Sequence, residues 1–376
     1  MAAGIYIHIP FCRSRCSYCD FATDVWRSGD AVQRYVDALC TEIDSSKGAP
    51  LGPAKGNLAF ADTIYFGGGT PSLLDPAQVE DILAAVNSRF DVADNTEITM
   101  EMNPGTVTPD SLADYRSLGV NRASFGLQTF NNRDLMLLAR GHNAKDARDT
   151  FRMLRDAGFT NVSFDLIAGL PGQTMDDWQR NLNEAAAMEP EHLSLYLLEI
   201  HEGTPLAAQV QSGRRPQPDD DVAAEMYEMM IDRLCEAGYV QYEISNFAKP
   251  GFESRHNTKY WRLEPVYGFG VSAHAFDGRE RYSNERDTAK YISMITSGGS
   301  AEVSREAVDP ASESAFLGLR LNEGIDVVEY DRRHSTDLSS KMGRLEENGL
   351  VEVAGGRLRL TRKGMLFSNE VFAEFV

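Results

Sequence analysis

Basic residues are in short supply: 37 lysines and arginines stand against 56 aspartates and glutamates, for a net charge of −19. Binding a phosphate backbone requires a positive face, so a general nucleic-acid role is excluded and partners are expected among small molecules and proteins. Long apolar runs are missing too, and nothing approaches the ~18 residues needed to cross a bilayer. Met1 is followed almost at once by the strand-like run IYIHI, which leaves no room for a cleavable signal and points to a cytoplasmic, reducing location. Cysteine is sparse, five in 376 residues. An odd set in a long chain excludes the even disulfide framework of a small secreted domain.

Three of those five cysteines are concentrated in one place. Cys12, Cys16 and Cys19 fall in IYIHIPFCRSRCSYCDF with the spacing C-x3-C-x2-C. A zinc site would bring a fourth Cys or His at matching spacing, and none is present. Three thiolates from one short loop can instead hold three irons of a [4Fe-4S] cube, leaving the fourth iron free to take a small molecule. Pro10 stiffens the loop. Arg13 and Arg15 either offset the charge of an anionic cluster or are solvated surface charges. Cys40 and Cys235 lie in helix-like apolar runs and are expected to be buried, inert thiols.

Along the first two hundred residues β-rich runs alternate with amphipathic helical ones. Strands are predicted from Ile5, Thr63, Glu97, Arg122, Asn161 and His192, with helices between them such as PAQVEDILAAVNSRF and MDDWQRNLNEAAAM. Six βα units in series imply an α/β fold with a parallel sheet, whose functional groups sit just beyond the carboxyl ends of the strands. Strand one delivers the three cysteines, and strand two delivers Gly67, Gly68, Gly69, Thr70 and Pro71. A triple glycine lets backbone approach a ligand, or makes a tight turn. Glu101 and Asn103 end strand three, Gln128 ends strand four and Asp165 ends strand five. Such acceptors suit ribose hydroxyls and ammonium groups, and Arg140, after strand four, can pair a carboxylate. His8 shares a strand face with Tyr6 by period two and is either packed or catalytic.

The C-x3-C-x2-C motif, with Tyr18 before its third cysteine, resembles that of the radical S-adenosylmethionine (SAM) superfamily. That resemblance implies a partial (β/α)6 barrel, a [4Fe-4S] cluster on Cys12, Cys16 and Cys19, and SAM completing the fourth iron and yielding a 5′-deoxyadenosyl radical on reduction. IYIHIPFC, YFGGGTPS, EMNPGTV, SFGLQTFN, LLARGHN and FDLIAGLPGQT look like the branch that contains oxygen-independent coproporphyrinogen III oxidase. Carried over residue by residue, SAM contacts fall on Tyr6, Tyr18, Gly68, Gly69, Thr70, Glu101, Gln128, Arg140 and Asp165. Two departures separate the chain from the oxidase: Phe21 stands where the oxidase carries a further cysteine, and the oxidase's long leading extension is almost absent. Both fit the haem-chaperone, HemW-like branch.

In ESRHNTKYWRLEPVYGFGVSAHAF, the HNxxYW pattern of His256, Asn257, Tyr260 and Trp261 is a mark of that same branch. It implies haem binding, with His256 as axial ligand and His274 in reserve, and with the two large aromatics and the glycine-rich stretch (Gly268, Gly270) beside the imidazole offering flat packing surfaces. Three units are expected: a barrel over 1–205, a barrel-completing segment over 206–300 and a C-terminal winged-helix-like α+β domain over 301–376. From Arg305 onward ten basic and thirteen acidic residues argue for a lid or docking role over DNA binding. Three functions are open. The chain is a haem chaperone passing haem to an acceptor protein and using an electron donor, or a radical decarboxylase of coproporphyrinogen III, or a radical SAM methyltransferase or cyclopropanase. A homodimer is compatible with each.

Overall fold

The structure is a computed structural model that describes residues 2–25, 28–46 and 59–376. Its frame is a 12-stranded sheet in which β1 (Ala3–Ile9), β2 (Ala59–Gly68), β3 (Phe90–Met102), β4 (Arg122–Gln128), β5 (Val162–Ala168) and β6 (His192–Leu197) run parallel in chain order. The connecting helices are α1 (Gly29–Ser45), α2 (Pro76–Arg89), α3 (Pro109–Ser117), α4 (Asn132–Leu137), α5 (Ala144–Asp156) and α6 (Met175–Ala187). Several start on a side-chain oxygen that takes an orphan backbone N–H, as Thr108, Asn143 and Thr174 do.

After α7 (Pro205–Gln211) and α8 (Asp220–Glu236), β7 (Val240–Gln241) and β8 (Asn246–Ala248) add antiparallel strands to the β6 edge. The chain then crosses through α9 (Arg255–Trp261) to β9 (Val266–Phe269), which pairs parallel with the other side of β1. The antiparallel strands β10 (His274–Phe276), β11 (Glu280–Asn284) and β12 (Glu302–Ala307) extend that edge, with α10 (Thr288–Thr296) between the last two. Strands β12 and β7 are the two ends of the sheet, so it is open, as a partial barrel is.

Period two divides each strand between two environments. Ile5, Ile7, Ile9, Ile64, Phe66, Met100, Phe125, Phe164 and Leu195 join helix residues such as Leu39, Ile82, Leu112, Leu154 and Trp178 in one apolar core between sheet and helices. Burying each large apolar side chain contributes about 1.5–3 kcal/mol. The alternate positions face inward and are polar. Tyr6, Tyr65, Thr99 and Arg122 lie in cross-strand register, as do Gly126, Asp165 and Ser194. Strands six abreast and about 4.8 Å apart would span over 20 Å if flat. Residues from β2 to β6 nonetheless line one cavity, so the sheet is curled.

A second core gathers Ile244 with Ala315, Leu319, Leu345, Leu358 and Val371. There α11 (Pro310–Arg320), β13 (Ile325–Asp326), α12 (Val327–His334) and α13 (Ser339–Glu347) precede a hairpin of β14 (Val351–Ala354) and β15 (Arg357–Leu360). Gly355 and Gly356, at φ +59° and +79°, turn that hairpin, and the unit has the layout of a winged helix. Helices α14 (Arg362–Leu366) and α15 (Ser368–Ala373) close the chain.

Candidate active site

The cysteine loop leaves β1 and is pinned on all sides. The Ser17 backbone N–H donates to the Leu138 carbonyl at 2.9 Å and its hydroxyl to that of Leu137 at 3.0 Å, while Leu206 N–H donates to the Ser17 carbonyl at 2.8 Å. His8 Nε2 bonds the Ala22 carbonyl at 3.0 Å and Nδ1 meets the Tyr6 hydroxyl at 3.0 Å, so His8 is a packed bracket for the loop. The triple glycine has a structural task beside it. A Cβ on Gly69 would stand 2.8 Å from the backbone of Pro10 and Phe11, and one on Gly68, whose φ is +111°, would stand 2.7 Å from the His8 ring. Only glycine lets strand two close against the loop.

Cys12, Cys16 and Cys19 line a cavity of about 410 Å³ at the carboxyl ends of the strands, together with Tyr18, Gly68, Gly69, Glu101, Gln128, Arg140 and Asp165. Thr70 lies just behind this wall, its hydroxyl 3.7 Å from Cys12 Sγ and accepting from Asn103 Nδ2 at 2.7 Å. Arg140 Nη1 donates to Cys16 Sγ at 3.3 Å, and Nη2 donates to the Gly126 carbonyl at 2.6 Å and to Asn103 Oδ1. Tyr6 is apart from the group. It lies a layer deeper, stacked on Tyr65 at 6.1 Å between ring centres.

Gln128 reaches the cavity through a break in pairing between Gly126 and Gln128, with φ at +71°. A non-glycine residue held there marks local strain that re-aims the strand end. Glu101 accepts from the Tyr65 hydroxyl at 2.8 Å and from Gly68 N–H at 3.1 Å. Burial, reinforced by nearby Asp165, pushes its carboxyl up to about 7. Burial likewise raises Asp165, and it raises the Cys12 thiol to about 11.

These groups fit an iron–sulfur cube with an open iron. Three thiols share one wall, and a guanidinium and a hydroxyl are positioned to donate to two of the sulfurs. Arg140 Nε is buried with no protein partner, on the same wall. Among the described residues no three His, Cys, Asp or Glu side chains stand in single-ion geometry. Acceptors Glu101, Gln128 and Asp165 face the remaining space, as a ligand carrying an ammonium group and a ribose requires.

The HNxxYW residues lie at the opposite end of the barrel, on α9. His256 is 1% exposed, with Nδ1 2.9 Å from the Thr63 hydroxyl and Nε2 3.3 Å from that of Tyr260. The backbone N–H groups of Arg255 and His256 both donate to Glu97 at the helix start. As placed, this imidazole offers no free nitrogen to a metal. Burial lowers its pKa to about 3. Asn257 and Tyr260 are half-buried on the same helix, and the Arg320 guanidinium lies 4.2 Å over the Trp261 ring.

Two expectations need correction. Gly268 and Gly270 are not flat ligand surfaces: both are buried, and a Cβ on Gly270 would meet the Tyr35 hydroxyl at 2.5 Å, so their smallness serves strand packing. Cys235 is exposed rather than buried, because α8 buries the stripe of Met226, Met230 and Leu234 and Cys235 falls beside it. Cys40 is half-buried against the core.

The family model of the radical SAM superfamily matches residues 6–185, and that of the HemN C-terminal domain matches residues 307–367. The protein named heme chaperone HemW of Bacillus subtilis (strain 168) is 36% identical over 381 residues, covering 99% of this chain and 98% of its own. The chain belongs to the HemW family of radical SAM proteins. Its namesake in Escherichia coli (strain K12) is 33% identical with the same coverage. The mitochondrial radical S-adenosyl methionine domain-containing protein 1 of Bos taurus is 34% identical over 96% of this chain. Among solved structures, coproporphyrinogen III oxidase (HemN) from Escherichia coli superposes with a TM-score of 0.84 at 26% identity, covering all of this chain and 90% of the other. Among the described residues no helix is long and apolar enough to cross a membrane.

One site residue escaped the sequence reading. His201 lines the same cavity from the segment after β6, within 3.8 Å of Asp20 and 3.7 Å of Glu199. Its signal was its place just beyond a sixth strand end, where the earlier five had each delivered a polar group.

Proposed function

We propose that this chain is a cytoplasmic haem chaperone, which binds haem, holds a [4Fe-4S] cluster on Cys12, Cys16 and Cys19, and passes the haem to an acceptor protein. The observation that carries this reading is similarity along the whole chain to proteins named for that role, at 36% identity in the Bacillus subtilis case. The HNxxYW residues His256, Asn257, Tyr260 and Trp261 belong to the haem-handling part of this reading. Residues 1–205 supply the barrel, 206–300 complete it, and 301–376 form a lid or docking surface. An electron donor and a homodimeric loaded state belong to the same proposal.

When bound, the cluster supplies an electron for reductive cleavage of SAM. The chain's residues do the rest. Arg140 and Thr70 donate hydrogen bonds to cluster-side sulfurs and so hold the loop in shape. Gly68 and Gly69 bring backbone to the ligand. Glu101, Gln128 and Asp165 offer acceptors to its ammonium and ribose groups, while Tyr18 closes the wall beside the cluster. Tyr6 supports this floor from the layer beneath.

Haem titration of the purified chain tests the reading: a Soret band that saturates at a fixed stoichiometry is expected, and no binding overturns it. The likeness to HemN in structure favours a second reading, radical decarboxylation of coproporphyrinogen III. An anaerobic reaction of cluster-reconstituted protein, reductant, SAM and coproporphyrinogen III, followed by mass spectrometry, separates the two. Stoichiometric decarboxylation establishes the oxidase, and its absence with the cluster intact leaves haem carriage.

A further inference from the structure

A buried cation ordinarily has a direct partner, because an unpaired charge taken out of water is strongly unfavourable. Lys259 follows that rule: 5% exposed, it meets Asp62 at 2.8 Å and Glu264 at 3.0 Å. Arg140 follows it too, through Cys16 Sγ, Asn103 and the Gly126 carbonyl. Arg122 does not. It is 1% exposed on β4, and neither Nε nor Nη1 has a protein partner among the described residues. The hydroxyl of Thr99, its register partner on β3, is buried without one as well. A guanidinium stays protonated wherever it is placed, so Arg122 carries its charge into the lumen.

Period two sets that charge beneath the acids of the cavity wall. Glu101, in register with Ser124, stands one layer above Arg122, and Asp165, in register with Gly126, stands one layer higher. Glu101 is faced by Tyr6 from β1, by the Tyr65 hydroxyl and Gly68 N–H from β2, by Arg122 from β4 and by Asp165 from β5. Burial is the largest influence on both acids and raises them, and the field of Arg122 opposes it at each, joined at Asp165 by Arg140. Lower in the barrel the same field adds to burial in keeping His192 and His256 neutral. A charge in a weakly screening interior acts in this way over several ångströms without touching its targets.

Resting on the reading that SAM occupies the cysteine cavity, we propose that Arg122 is a positioning residue for that site, whose charge presents Glu101 and Asp165 to the ligand as carboxylates. It meets no ligand atom itself and acts through the two acids. The ionised form is the one the ligand needs, since a protonated carboxyl turns an O–H donor towards the N–H donors of an ammonium group, whereas a carboxylate offers acceptors alone.

The test follows the titration of Glu101 rather than turnover. In the cluster-free full chain, urea unfolding from pH 5 to pH 9 gives the stability difference between Glu101 and Glu101→Gln in four backgrounds: wild type, Arg122→Met, Arg122→Gln and Arg122→Lys. In wild type that difference changes around pH 7. The two charge-free variants are expected to move its midpoint up by about one pH unit, while Arg122→Lys, which keeps a cation, leaves it near 7. Either charge-free variant suffices if the other does not fold. In the anaerobically reconstituted chain, calorimetric titration at pH 7 is expected to show SAM bound about fivefold more weakly by the charge-free variants. An arginine with a structural role alone would lower stability at every pH and leave the midpoint in place, and that result overturns the proposal. So does a midpoint that lysine moves as far as methionine, or a moved midpoint with unchanged SAM affinity. A wild type that binds no SAM overturns the ligand-site reading instead, while the midpoint, read without SAM, still decides whether Arg122 acts on Glu101.

Discussion

Replacing Glu101 with glutamine should make the cluster-free chain more stable at alkaline pH and at the same time impair its ligand site. The carboxyl titrates near 7 in the folded chain, against an ordinary value of 4.5, chiefly because it is buried. That difference corresponds to roughly 3 kcal/mol, and partial solvent access at the cavity wall reduces it to about 1–2 kcal/mol. Folding raises the pKa, so between pH 4.5 and 7 the folded chain keeps a proton that the unfolded chain releases. Stability from this group is therefore full below pH 4.5 and is lost as pH rises through 7. Glutamine stays neutral, but its amide accepts from only one of the two donors, Tyr65 Oη and Gly68 N, at a pH-independent cost of about 1 kcal/mol. Urea unfolding of wild type and Glu101→Gln at pH 5 and pH 8 should show the difference between them moving by about 1–2 kcal/mol in favour of the variant. A constant difference would refute the buried, proton-holding carboxyl. On the proposed function, wild-type SAM affinity rises about tenfold from pH 6 to pH 8 as Glu101 ionises, and the variant's affinity is low and flat.

Gly69→Ala places a methyl 2.8 Å from the Pro10 and Phe11 backbone, where no flexible side chain can yield. We expect a loss of about 1–3 kcal/mol and a reduced iron content after reconstitution, read by denaturant midpoint and iron assay. Arg140→Met removes the donor to Cys16 Sγ and leaves Asn103 Oδ1 and the Gly126 carbonyl without it. A destabilisation of about 1–3 kcal/mol and faster loss of cluster absorbance in air are expected, with no change in either arguing against a shaping role.

The alternation of residue types in β1 to β6 makes the strands legible in the sequence, and their glycine, acidic and amide ends mark the cavity wall. Less legible was the direction of the alternation. Tyr6, Thr99, Arg122 and His192 face a polar lumen, whereas a half-exposed sheet would send such residues to solvent. Strand β9 was hidden in VYGFG, because glycines that serve close packing look the same in sequence as glycines that serve a ligand. In the HNxxYW segment, His256 interlocks with Thr63 and Tyr65, some two hundred residues earlier. Pairings at that separation leave no local pattern. His201 was missed for a related reason: a lone histidine in a loop carries no periodicity, and only the curl of the sheet brings it to the cysteines.

His256 offers a separate test of whether the barrel's lower end is closed. The imidazole is held near pKa 3, first by burial and then by Lys259 and Arg122, against an ordinary 6.5. The unfolded chain gains a proton below pH 6.5 that the folded chain refuses, so stability falls as pH drops from 6.5 towards 3. At pH 5 the penalty is roughly 2 kcal/mol. His256→Ala escapes it but forfeits the bonds to Thr63 and Tyr260 and the stack on Tyr65, about 3 kcal/mol together. The variant should therefore trail wild type by about 3 kcal/mol at pH 7.5 and by only about 1 kcal/mol at pH 5, as read from urea midpoints. A gap that is the same at both pH values would mean that the ring protonates in place and is open to solvent. An imidazole open to solvent is also open to iron, so that outcome would support the place of His256 in the haem-handling part of the proposed function.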